Sequence, residues 1–163
     1  MMLVRCMPME PTFLSEYRKE RAFVLFDATS LYRNGYLLFR SMGAMSVMPG
    51  EPCPRPSIDL IFLGTKYIEL PTEILGVRIY KPRDSKTKEL SELFDTNFFS
   101  GPDERVYVIE SEGRRYHVVA SNFWIHEHNQ IMSHSSLIAL RSEDLKERDA
   151  YFREYVQAWY KIE

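Results

Sequence analysis

RVYVIESEGRRYHVVASNFWIHEHNQIMSH, residues 105–134, holds the clearest hairpin signal of the chain and all four of its histidines. Residues 106–110 are a short run of β-branched and aromatic residues. Residues 111–114 form a polar loop with a glycine able to take positive φ, and residues 115–120 are a second run of β-formers. A four-residue loop sets Glu110 opposite Arg115, Ile109 opposite Tyr116 and Val108 opposite His117. One inserted residue would turn every side chain to the other face. Ser121 and Asn122 then mark a bend or bulge. Beyond it, Trp124, His126 and His128 share one face of an extended segment, and Phe123, Ile125 and Glu127 share the other, because side chains alternate along a strand.

Outward from this stretch, the same reasoning yields a sheet. Residues 22–26, AFVLF, are a continuous apolar run that fits a central strand buried on both faces. Asp27 follows it, where a metal-binding or nucleophilic carboxylate often stands in α/β enzymes; with Thr29 and Ser30 it equally resembles a turn or helix cap. Asn34-Gly35 predicts a hairpin within residues 30–45, and the competing reading is one helix from Ser30 to Met45 that tolerates a glycine. Residues 57–63 and 66–70 read as a hairpin about Gly64-Thr65, and residues 73–81 as a further strand or strand pair. PGEPCPRP at 49–56 is a connector, since proline lacks a donor and fixes φ.

Two helices complete the expectation. Residues 11–20 carry Phe13, Leu14 and Tyr17 at helical spacing and predict a short N-terminal helix. Ser142 as cap, followed by Glu143, Asp144 and a stripe of Leu145, Phe152, Tyr155, Val156, Trp159 and Ile162, predicts a long C-terminal helix. Residues 88–94 could add a helical turn after the charged connection 81–88. The expected fold is α+β over residues 1–163 as a single globular domain. A mostly antiparallel sheet of about six or seven strands, built from hairpins, packs on the C-terminal helix.

Composition narrows the function. A formal net charge of -2 gives no general attraction to nucleic acid or anionic membrane. Cys6 and Cys53 make neither a Cys-x-x-Cys pair nor a disulfide framework, as expected of a reducing compartment. The first ten residues lack a leader's apolar core, and no apolar run reaches the roughly 18 residues of a membrane helix. Cytoplasmic residence is therefore the expectation. Phosphate-binding glycine loops and a Gly-x-Ser-x-Gly elbow are absent, which argues against nucleotide enzymes and serine hydrolases.

Three functional readings remain. The aromatic content, 10 Phe, 10 Tyr and 2 Trp, with no catalytic motif, favours a non-enzymatic interaction or accessory protein that binds a protein partner or small ligand on its sheet. Second, His117, His126 and His128 could form a facial set for a divalent metal such as zinc or iron, giving a metal-dependent enzyme; His134 and Glu127 lie near them in sequence. Third, Arg115, Tyr116, Phe123 and Trp124 offer a basic and aromatic mix for stacking single-stranded nucleic acid.

Overall fold

The computed structural model describes residues 10–29, 35–44, 55–83, 105–130, 134–140 and 143–163. Its strands are β1 (Thr12–Leu14), β2 (Glu16–Ala28), β3 (Gly35–Ser41), β4 (Ser57–Thr65), β5 (Tyr67–Ile68), β6 (Glu73–Tyr80), β7 (Arg105–Ser111), β8 (Arg114–Ala120), β9 (Asn122–His128) and β10 (Val156–Ile162). Two helices, α1 (Ser136–Leu140) and α2 (Leu145–Tyr155), precede β10. The strands form one mixed sheet in the order β1-β10-β9-β4-β3-β2-β6-β7-β8-β5, with only β1 and β10 parallel.

This sheet closes on itself. β4 continues through Lys66 into β5, and β8 continues through Ser121 into β9, so the two ends of the strand order are parts of the same two bent strands. Lys66 N–H donates to Val119 O at 2.8 Å and Ser121 N–H to Leu63 O at 2.9 Å, which carries the ladder across both bends. The free edge of β8/β9 is paired first with β7 and then with β10. The result is an antiparallel barrel whose wall runs β2-β3-β4/β5-β9/β8-β7-β6 and back to β2. Closure satisfies backbone groups that an open edge would leave to solvent or to another chain.

Alternation then sorts the side chains. Phe23, Phe39, Leu60, Phe62, Ile79, Tyr107, Val118 and Phe123 point inward and are almost fully buried. Phe62 and Phe123 stack with ring centroids 4.6 Å apart, and Tyr107 tilts against Phe123 at 5.4 Å. Burying each such side chain is worth roughly 1.5–3 kcal/mol, so the interior is the main source of stability. On the outside of β3, β4 and β9, Leu38, Ile61 and Leu63 pack under Leu137, Leu140, Tyr151 and Val156 of the C-terminal segment. Ser135 caps α1 by accepting from Leu137 N–H at 3.2 Å, and Asp144 caps α2 by accepting from Lys146 N–H at 2.9 Å.

Several expectations are corrected. The fold is not a sheet of six or seven strands under a long C-terminal helix: ten strands form one sheet and the helices are short. The expected helix from Ser142 to Ile162 stops at Tyr155, and Val156–Ile162 pairs with both β9 and β1. Its residues Val156, Trp159, Tyr160 and Ile162 suit a pleated surface, and two waiting strand edges outweigh local helix propensity. The expected N-terminal helix is β1 and the start of β2, where Tyr17 is buried and Arg18 and Glu20 are exposed in alternation. The apolar run 22–26 is one half of β2 but is not buried on both faces, since Val24 is 50% exposed. Residues 57–68 make a bent strand, not a hairpin at Gly64.

Other expectations hold. The hairpin 105–120 has the expected register, Glu110 with Arg115, Ile109 with Tyr116 and Val108 with His117. Its turn is tighter than expected: Ser111 pairs with Arg114, and Glu112 and Gly113 take φ of 50° and 74°. Residues 35–41 are a strand paired with β2 and not part of a helix, but Leu37 faces Ala28 and Thr29 N–H donates to Tyr36 O at 2.9 Å, so β2 ends before Leu31-Tyr32 and Gly35 belongs to β3 rather than to a two-residue turn. The turn itself at 30–34 lies outside the described residues. So do Cys6, Cys53, most of the proline-rich connector, the charged connection beyond Arg83 and the helical turn at 88–94.

Candidate functional site

The outer face of β3, β4 and β9 carries a buried row of polar groups, because register sets Arg40 opposite Asp59 and Asp59 opposite His126. Arg40 donates to both carboxylate oxygens of Asp59, Nε to Oδ1 at 2.7 Å and a terminal nitrogen to Oδ2 at 2.8 Å. Both side chains are essentially removed from water, 1% and 0% exposed. Ser136 Oγ also donates to Asp59, and Arg40 reaches His134 O at 2.6 Å. His128 Nε2 lies 2.8 Å from Asp59 Oδ2, although its N–H is not aimed along that line. Gln130 N–H donates to His128 Nδ1 at 3.1 Å, so the proton of a neutral ring belongs on Nε2.

Electrostatics follow from that packing. Burial alone would push the Asp59 carboxyl up; the Arg40 guanidinium and His128 outweigh it and hold it well below the usual carboxylate range. His126 has no such partner: burial pushes its pKa down to about 3 against the smaller attraction of Asp59, so the ring is neutral near pH 7. Tyr151 OH meets His126 Nδ1 at 3.1 Å, and burial pushes the Tyr151 phenol up. Trp124, Phe152 and Trp159 enclose the His126 ring. The order of contacts differs from that of a hydrolase, because Ser136 is bonded to a carboxylate and not to a histidine base. Closed to solvent, the row fastens α1 to the barrel, and Asp27 does the same by accepting from Ser135 Oγ.

The sequence-predicted histidines are thus separated. His126 and His128 share one face of β9, as expected, and both are 0% exposed. His117 stands on β8 opposite Val108, and His134 contributes its carbonyl to Arg40. Among the described residues no group of three or more His, Cys, Asp or Glu side chains could hold a metal ion. The basic and aromatic set divides in the same way. Arg115 is exposed on the outer face of β8 and Tyr116 is partly buried, whereas Phe123 lies in the interior stack and Trp124 under the C-terminal segment.

Arg115 instead belongs to a cleft of about 360 Å³ on the outer face of β2, β6, β7 and β8, a face on which no helix of the described residues packs. Register lines up Arg18, Arg78, Glu110 and Arg115 across these four strands. Arg78 bonds Glu16 at 2.9 Å and Glu110 at 3.0 Å; Glu16 also holds Arg18, and Glu110 also holds Arg115 at 3.1 Å and the Tyr80 hydroxyl at 2.7 Å. The Arg18 and Arg78 guanidiniums lower the Glu16 pKa, and the Tyr80 hydroxyl with Arg78 lowers that of Glu110, so both carboxylates are charged at neutral pH.

Glycine shapes the floor. In β2, Glu20 and Arg21 bulge opposite Gly76, which takes φ +71° and leaves a notch where a side chain would stand. A Cβ there would lie 3.3 Å from Glu20 Oε2. The bulge sends Glu20 into the cleft and Arg21 the other way, to Ser41 Oγ at 2.9 Å and Pro56 O at 2.9 Å. Sequence reasoning found Arg115 but missed Arg18, Glu20, Gly76 and Arg78. Residues 16–20 resembled a helix, and a lone glycine in a strand pattern was their one usable signal. In comparisons with known proteins, the chain matches no family model, no curated protein and no solved structure.

Proposed function

We propose that this protein is a non-enzymatic interaction or accessory protein that engages a protein partner on the outer face of β2, β6, β7 and β8. One observation carries the reading: the charged cleft lined by Arg18, Arg78, Glu110, Arg114 and Arg115 lies open on that face. Among the described residues, aromatic and aliphatic side chains fill the barrel and the Asp59 row is closed to solvent. A rim of charged side chains suits recognition and fast encounter more than chemistry.

A photo-crosslinking residue placed at Arg114 tests this against the same residue at Ile138, which is 70% exposed on α1. Irradiation in cells should give adducts of defined mass from position 114 and none from position 138. Equal patterns from both positions, or none from 114, would refute the proposal.

A further inference from the structure

We infer that the cleft selects an extended peptide segment of mixed charge, with a lysine or arginine two residues from an aspartate or glutamate. This rests on the reading of the face as a partner surface. Three guanidiniums, of Arg18, Arg78 and Arg115, share two carboxylates, of Glu16 and Glu110, which leaves one positive charge in excess. Arg114 adds a second, having no ion pair among the described residues. Two residues further along the strands the sign reverses. The β2 bulge brings Glu20 beside Gly76, its Oε2 3.3 Å from where a Cβ would stand, and Glu112, in the β7–β8 turn two residues beyond Glu110, lines the same cleft. Glu20 at the notch and Glu112 on the lining both carry negative charge, again without ion pairs among the described residues.

The cleft is thus a dipole, positive along the Arg18–Arg115 row and negative at the Gly76 notch. Two steps along a strand separate its poles by about 7 Å, the spacing of side chains i and i+2 on one side of an extended peptide. A uniformly acidic segment would meet Glu20 and Glu112, and a uniformly basic one would meet the arginine row; like charges at such contacts oppose binding. A cationic side chain over Gly76 with an acidic neighbour at i+2 satisfies both poles. Leu75, 49% exposed beside the notch, offers apolar contact to the intervening backbone.

Selection of a random peptide display library against the intact protein tests this, followed by affinity measurements with Glu112→Gln and Arg115→Gln, both exposed substitutions that leave the core untouched. Enriched peptides should carry opposite charges at i and i+2, and each variant should weaken them by at least about tenfold. Peptides of a single charge sign that still depend on Arg115 would overturn the mixed-charge class and keep the face. Peptides indifferent to both variants, or no enrichment at all, would overturn the face as well.

Discussion

Asp59→Ala should be among the most damaging single substitutions in this chain, because it removes the acceptor that keeps a buried guanidinium paired. Arg40 would lose two charge-assisted bonds, of 2.7 and 2.8 Å, at a site where its side chain is 1% exposed. Ser136 and His128 would lose their contact with the same carboxylate. Breaking one partner out of a buried pair costs about 3–5 kcal/mol, against a total stability of roughly 5–15 kcal/mol for a domain. The companion change Arg40→Met/Asp59→Leu removes both charges and their desolvation, and should cost only about 1–2 kcal/mol, mostly from the bonds lost by His134 O and Ser136. Urea unfolding followed by tryptophan fluorescence reads the effect directly, since Trp124 and Trp159 lie 5.8 Å apart in the same outer layer. A loss under about 1 kcal/mol for Asp59→Ala would show that the pair does not hold the C-terminal segment to the barrel, and a double variant as unstable as the single one would show that the cost is not that of an orphaned guanidinium.

His126 gives a pH signature. Its folded pKa of about 3 lies below the ordinary value of 6.5, so the unfolded chain binds the proton first as pH falls. Its share of stability is full above pH 6.5 and is lost at about 1.4 kcal/mol per unit down toward pH 3, or roughly 2 kcal/mol between pH 7 and 5; His126→Asn should flatten that slope in urea titrations at several pH values. Phe123→Ala should cost about 3–5 kcal/mol by emptying the interior stack, while leaving any cleft-dependent peptide affinity unchanged; altered affinity in the folded variant would return Phe123 to the binding surface. Gly76→Ala should lower the melting temperature through about 1–2 kcal/mol of left-handed strain, and an unchanged melting temperature would contradict the φ of +71°. Arg115→Gln, exposed and screened, should leave stability within about 0.5 kcal/mol; a larger loss in urea would make the arginine row structural.

How far the sequence reaches depends on how far apart the interacting residues are. The hairpin 105–120 was legible down to its register, because one short turn fixes which residues face each other and alternation does the rest. His126 and His128 were correctly placed on a common face for the same reason. Their surroundings were not legible: Arg40, Asp59 and Ser136 come from three distant segments, and only the neighbouring strands bring them to the histidines. The cleft repeats the pattern, since Arg18, Gly76 and Glu110 meet through two long-range pairings and one bulge.

By itself the sequence determined strand character, local turns and the alternation that divides an apolar face from a polar one, all set within a few bonds of each residue. Only the tertiary structure decided that the sheet would close, that Val156–Ile162 would leave the helical pattern to become β10, and that Tyr17 and Phe123 would face inward. Those outcomes depend on which strand edges are available elsewhere. A segment with comparable helix and strand preferences takes the conformation that completes its neighbours' hydrogen bonds and buries its apolar face.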